Sequence, residues 1–205
     1  PLAVLLIALS FPLFAGLWDY AKAKKKNYVS ILGLVNTGLT GGLAVLEVEG
    51  FWFAVKEGIL PLILGLYVLL SLRLKKNFVE AALLQPQIFN LPLIEERSQA
   101  MGQSEVIKKI TQIGTFWFSL SFFTSAALNF ALALYIFKAI DPLLEAEKRA
   151  QILNEQIAEM TWMGYIVIAL PLALGTGFLL WWLLKALSNS LNLKMEEILH
   201  SHKAS

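Results

Sequence analysis

The chain reads as an all-α, polytopic transmembrane helix bundle with short interfacial helices. Three observations lead there: five long apolar stretches, a composition outside the range of soluble domains, and a charge bias that alternates between successive connections. Of the 205 residues, 57% are hydrophobic and 16% charged, against about 45–50% and about 25% in ordinary soluble domains. The mean hydropathy is +0.64. A water-soluble fold of this size would leave large apolar patches exposed, so a single transmembrane domain over residues 1–205 is the economical organisation. A net charge of +2 does not point to nucleic acid as a partner. The absence of cysteine excludes disulfides, thiolate metal sites and a cysteine nucleophile.

A hydrocarbon core about 30 Å thick takes about 20 helical residues. The first apolar run, about residues 2–18, opens at Pro1 without an initiator methionine or the basic leader of a signal peptide. The other four cover about residues 28–46, 51–72, 113–137 and 161–184. Trp18, Trp52, Trp117, Trp162, Trp181 and Trp182 cluster near proposed span ends, as interfacial aromatic belts do.

Lysine and arginine near span ends mark the cytoplasmic side. Lys22, Lys24, Lys25 and Lys26 follow the first span against Asp19 alone. Arg73, Lys75, Lys76, Arg97, Lys108 and Lys109 lie between the third and fourth against four glutamates, and Lys185 opens the tail. The alternate connections are poorer in base: Glu47 and Glu49 in one, and in the other Asp141, Glu145, Glu147, Glu155 and Glu159 against Lys138, Lys148 and Arg149. The C-terminus is therefore expected inside and Pro1 outside. An outward start without a leader carries the expectation of one further span ahead of Pro1, making six.

Asp141-Pro142 suits a helix start, since aspartate accepts from free N–H groups and proline fits the first turn. An outer amphipathic helix is expected over about residues 142–160, running into the fifth span. Leu143, Ala146, Ala150, Leu153, Ile157 and Met160 form its apolar stripe. The stripe suits packing on the protein's own surface or the membrane; a seam for a partner helix is the sharper alternative. On the inner side, amphipathic segments are expected over about 77–110 and 186–200. Pro86 and Pro92 deny the first a continuous helix and predict a short interfacial helix, a break and a second helix. Leu187, Leu191, Met195, Ile198 and Leu199 predict a surface-lying tail helix.

The residues that could carry chemistry are few. Gly38 and Gly42 have GxxxG spacing with Gly41 beside them, which lets helix backbones approach, and Asn36, Thr37 and Thr40 can bond across such a contact. On that reading Gly42→Leu would overpack a helix interface. Lys56 and Glu57 fall inside the third span ahead of Gly58 and Pro61. A charge near the bilayer centre costs at least about 2.5–3.5 kcal/mol, so such residues pair or line a polar cavity. Adjacent helical residues point about 100° apart, so each is expected to find its partner elsewhere, in Glu47, Glu49, Asn36, a loop residue or water. Ser119, Ser121, Thr124 and Ser125 can bond back to their own helix, whereas Asn129 needs a neighbour. A candidate polar pocket thus comprises Lys56, Glu57, Asn36 and Asn129. His200 and His202 alone make a poor metal site. Phosphate-loop, HExxH and GxSxG motifs are absent from the sequence. No catalytic residue, metal site or cofactor is expected.

Several motifs nonetheless stand in a specific order: Asp19-Tyr20, Asn27-Tyr28-Val29-Ser30-Ile31-Leu32-Gly33-Leu34-Val35, Leu39-Thr40-Gly41-Gly42, Ala54-Val55-Lys56-Glu57-Gly58 with Pro61-Leu62, Pro86-Gln87-Ile88-Phe89, and Ser125-Ala126-Ala127-Leu128-Asn129-Phe130. Over nearly the whole chain this order resembles an uncharacterised family of bacterial multi-pass inner-membrane proteins, itself distantly similar to intracellular septation protein A. The resemblance implies a bacterial inner-membrane location and a further N-terminal hydrophobic segment, and it places family motifs at Lys56-Glu57 and Asn129. The glycine-rich second span and acidic outer helix depart from the septation proteins proper. The expected function is a non-enzymatic envelope protein, a scaffold or accessory subunit working with membrane lipids and other subunits or its own copies. The alternative is a small transporter or channel built on the Lys56/Glu57 pocket.

Overall fold

The computed structural model describes Ser10, Phe14, residues 38–43 and residues 50–199. The described residues are mainly helical, and no strand occurs among them. Residues 38–43 are helical. Helix α1 is Gly50–Ser71, α2 is Leu91–Ala100, α3 is Ser104–Ile136, α4 is Ala146–Met163, α5 is Leu170–Leu191 and α6 is the short turn Met195–Ile198. Two π-helical segments, Val79–Leu83 and Gly164–Ala169, complete the path.

Three helices are long and apolar enough to cross a membrane: α1, α3 and the continuous Ala146–Leu191 formed by α4, the second π segment and α5. In their most apolar windows only 28%, 28% and 17% of residues are buried within the protein. Surfaces this apolar and this open suit lipid, where helices satisfy their own backbone groups. The expected spans over 28–46 and 2–18 lie outside the described residues, apart from Ser10, Phe14 and 38–43. The expected third and fourth spans correspond to α1 and α3. The latter begins nine residues before the apolar stretch because Ser104–Gln112 is helical but amphipathic. The outer helix does run into the fifth span, as expected. Pro171 accounts for the π segment between them: it offers no N–H to the carbonyl four residues earlier, and a widened turn relieves the clash of its ring.

The outer helix starts later than Asp141-Pro142 predicts. The Asp141 carboxylate accepts from the Leu143 N–H at 2.9 Å and closes a tight turn instead. Arg149 reaches back from α4 to donate to the Leu144 carbonyl at 2.8 Å and that of Pro142 at 3.3 Å, fixing this turn against the helix it precedes.

The chain divides into two compact units, Pro1–Gly58 with Asn129–Gly164, and Ile59–Leu128 with Tyr165–Ser205. In the first, Phe53 stacks on Phe137 with centroids 4.6 Å apart, and Phe51 meets Phe130 edge-on. Gly50 sits against Phe137 so closely that a Cβ there would run into its carbonyl oxygen and Cβ.

The second unit holds the larger core. Val68, Ile110, Phe118, Leu183 and Leu187 from the long helices surround Val79, Leu84, Phe89 and Ile94 from the inner connection, with Leu191, Leu193 and Ile198 from the tail. The inner connection and the tail turn their apolar residues onto the long helices: Val79, Leu187, Leu191 and Ile198 have no exposed surface, while Gln87, Lys194, Glu196 and Glu197 stay exposed. The tail turns inward because Asn192 adopts a left-handed conformation (φ 51°) that ends α5, and the Leu193 N–H returns to the Ser188 carbonyl at 3.1 Å. The Asn90 N–H then donates to the Ile198 carbonyl at 2.8 Å, tying the two segments together. Pro92 does not break α2 but occupies its second position, where its missing N–H is not needed, while the Asn90 side chain caps Leu93.

Among the described residues, a Cβ on Gly65 lands 2.9 Å from the Phe123 ring, whereas one on Gly42 meets no heavy atom within 4 Å; the span that carries Gly38, Gly41 and Gly42 lies largely outside the described residues. Gly50→Ala is therefore expected to lose about 1–3 kcal/mol through overpacking, and Gly42→Ala to be neutral or slightly stabilising. Thermal unfolding of the two variants in detergent checks this contrast.

Candidate functional site

Two polar centres stand out, one in each unit. The first is built on α1. Lys56, in its second turn, is buried among Phe53, Ala54 and Gly58, all likewise buried. Its Nζ donates to the Thr40 hydroxyl at 2.8 Å and lies 2.5 Å from a Glu57 carboxylate oxygen. The expectation that Lys56 and Glu57 cannot meet is thus corrected. Backbone vectors 100° apart are bridged by the long lysine stem, which folds sideways to its neighbour instead of following its own Cα–Cβ direction. Thr40, one of the polar residues among the span-two glycines, supplies the second acceptor.

The pair is unequally buried: 6% of the Lys56 side chain is exposed and 25% of that of Glu57. The ammonium is held inside while the carboxylate keeps an open edge. Pro61 adds a local weakness, because it gives no N–H to the carbonyl four residues earlier, that of Glu57. Of the other expected pocket residues, Asn129 is half-buried on α3, and Asn36 lies outside the described residues, as do Glu47 and Glu49.

The second centre was not anticipated. Asn77, between α1 and the first π segment, and Thr111 and Thr115, one turn apart on α3, are all buried. The Asn77 amide donates to the Thr111 hydroxyl at 2.9 Å, and its carbonyl oxygen accepts from the Thr115 hydroxyl at 2.9 Å and the Glu80 N–H at 3.2 Å. One Glu80 carboxylate oxygen accepts from Thr111 at 2.7 Å and the other from the Asn77 N–H at 3.3 Å. Asn77 and Glu80 thus form a reciprocal capping box, with both threonines locking it to α3. The Thr115 hydroxyl also accepts from the Val79 N–H at 3.2 Å, and Ser71 takes the Phe78 N–H at 2.9 Å while donating to Val68.

A signal for this centre was available. Asn77-Phe78-Val79-Glu80 has capping-box spacing, and Thr111 and Thr115 share one helix face. The serines behave as expected: Ser119 and Ser121 donate to carbonyls of their own helix, at 2.8 and 3.1 Å.

No protein-family model, curated protein or solved structure matches this chain. The arrangement must be read from its own chemistry. Among the described residues no three His, Cys, Asp or Glu side chains gather to hold a metal. In the first centre an ammonium, a carboxylate and a hydroxyl form one short chain, able to hold an ion pair or to exchange a proton with a ligand at the open edge of Glu57. In the second, the polar groups are turned on one another and brace a loop.

Along the outer stripe, Leu143 and Ala146 are exposed, Ala150, Leu153 and Ile157 are half-buried, and Met160 is buried. Gly38 and Gly41 are half-buried within the helical stretch 38–43.

Removing Asn77 takes the acceptor from the buried Thr115 hydroxyl and from the Glu80 N–H, and one donor from Thr111. Asn77→Ala is expected to cost on the order of 3 kcal/mol. An unfolding midpoint in detergent equal to that of the parent chain would contradict the bracing role.

Proposed function

We propose that this chain is a non-enzymatic, multi-pass protein of the bacterial inner membrane, with a cytoplasmic C-terminus, acting as a scaffold or accessory subunit of an envelope assembly. The observation that carries this reading is the division of labour among its side chains. The polar groups of the second centre are spent on each other, while the three span-length helices offer mainly apolar outward surfaces in their most apolar windows. A protein made this way works through its surfaces. Van der Waals packing of such surfaces is one of the forces that associate helices in lipid. The resemblance to uncharacterised inner-membrane proteins distantly similar to intracellular septation protein A supports the same location and leaves a septation role as a proposal.

A small transporter or channel is the second reading, favoured by the buried Lys56 ammonium paired to a partly open Glu57 carboxylate within a helix of spanning length. Charged groups inside membrane segments mark ion and substrate paths.

Crosslinking in native membranes followed by native mass analysis in mild detergent separates the readings. The scaffold reading expects a crosslinked oligomer or a partner in stoichiometric amount; a strictly monomeric protein with no companion overturns it. Lys56→Ala with Glu57→Ala discriminates further. Anchoring predicts reduced accumulation of the protein, whereas transport predicts normal insertion with loss of flux.

A further inference from the structure

We propose that the turn Arg73-Leu74-Lys75-Lys76, with Lys108 and Lys109 of α3, is a binding site for the phosphate headgroups of anionic membrane lipids. The proposal rests on the membrane reading above and adds a ligand to it.

The position is the first argument. Helix α1 has 22 residues and is about 33 Å long at 1.5 Å per residue, close to the thickness of a hydrocarbon core of about 30 Å. The turn that follows it therefore falls at headgroup level. All four of its residues are exposed, and Leu74, at 62%, stands as an apolar side chain among three cations. A basic turn with one apolar side chain is suited to the boundary between acyl chains and phosphates.

The second argument is the fate of the carboxylate that follows the turn in the chain. Both oxygens of Glu80 are engaged, one by the Thr111 hydroxyl and the other by the Asn77 N–H. None of the five cations forms an ion pair with a described carboxylate. The capping box thus directs the Glu80 oxygens away from the cations and leaves these without a direct carboxylate contact.

The third is convergence. The Thr111 hydroxyl accepts from Asn77 and shares its one proton between the Glu80 carboxylate at 2.7 Å and the Lys108 carbonyl at 2.9 Å. The start of α3 is thereby pinned beside the residue that follows Lys76. Both lysines there are exposed, so cations from two chain segments share one rim. The buried network fixes the backbone that carries them. Cations on a fixed backbone bind a phosphodiester more tightly than the same charges on a loose tail.

The full chain, purified in neutral detergent, is titrated with phosphatidylglycerol, phosphatidylcholine and inorganic phosphate, reading thermal stabilisation and lipid retained in native mass spectra. Phosphatidylglycerol is expected to stabilise and be retained, with weak effects from the other two. Arg73→Gln/Lys75→Gln/Lys76→Gln is expected to weaken phosphatidylglycerol binding on the order of a hundredfold. The same charge loss in Lys138→Gln/Lys148→Gln/Lys185→Gln should leave it largely intact. Should the first variant fail to fold, added salt on the parent chain serves instead: it must weaken phosphatidylglycerol binding and spare phosphatidylcholine. Equal stabilisation by phosphatidylcholine, equal stabilisation by free phosphate, or equal loss in both variants overturns the proposal while leaving the membrane reading in place. A chain that stays monodisperse without detergent would instead remove the membrane reading.

Discussion

Hydrocarbon offers no hydrogen bonds, and the rest of this structure follows from that one constraint. A polar group inside the membrane must find its partner within the chain, at a cost of several kilocalories per mole if it fails. Lys56 meets the condition twice, with Thr40 and Glu57. Ser119 and Ser121 meet it by donating to their own helix. Where the chain leaves α1, the condition is met collectively: Asn77, Glu80, Thr111 and Thr115 close the free N–H groups of a loop that a helix no longer serves.

The same network explains why the inner connection belongs to the core. With its N–H groups satisfied by Thr115, Ser71 and the capping box, the segment after Asn77 can turn Val79 inward against Gly114, where a Cβ would meet the Val79 methyl at 3.3 Å. Leu84, Phe89 and Ile94 follow, and the tail closes over them through Leu191, Leu193 and Ile198. Hydrogen bonding comes first in this logic, and hydrophobic burial is what it permits. The rim of cations follows from the same turn, since the Glu80 oxygens are directed to Asn77 and Thr111 instead.

Much of this was legible in the residues. The positions of α1 and of the apolar parts of α3 and of the helix ending at Leu191 follow from apolar runs, and Pro86 marks where the inner connection breaks. The misreadings have physical causes. Hydropathy cannot see the first turns of α3, where Lys108 and Lys109 decorate an amphipathic helix. An amphipathic pattern shows that Leu187, Leu191 and Ile198 share a face but not whether that face meets lipid or protein; the left-handed Asn192 decides it by turning the chain back. Spacing singles out Gly42 but does not show which glycines a neighbour presses on; among the described residues those include Gly50, against Phe137, and Gly65, against Phe123. The 100° rule failed at Lys56 because it describes Cβ directions, and a lysine has four more bonds with which to depart from them.

The account depends on the outward faces of the long helices being dissolved in lipid. The chain has no cysteine, so single cysteines at Leu66 and Leu174, which are 46% and 69% exposed, can each carry a nitroxide label without background. In reconstituted bilayers, spectra recorded with oxygen, which concentrates in hydrocarbon, and with a water-soluble nickel chelate report which solvent each label meets. Both labels should be strongly relaxed by oxygen and shielded from the chelate. Strong relaxation by the chelate at both positions would place these faces in water and contradict the account.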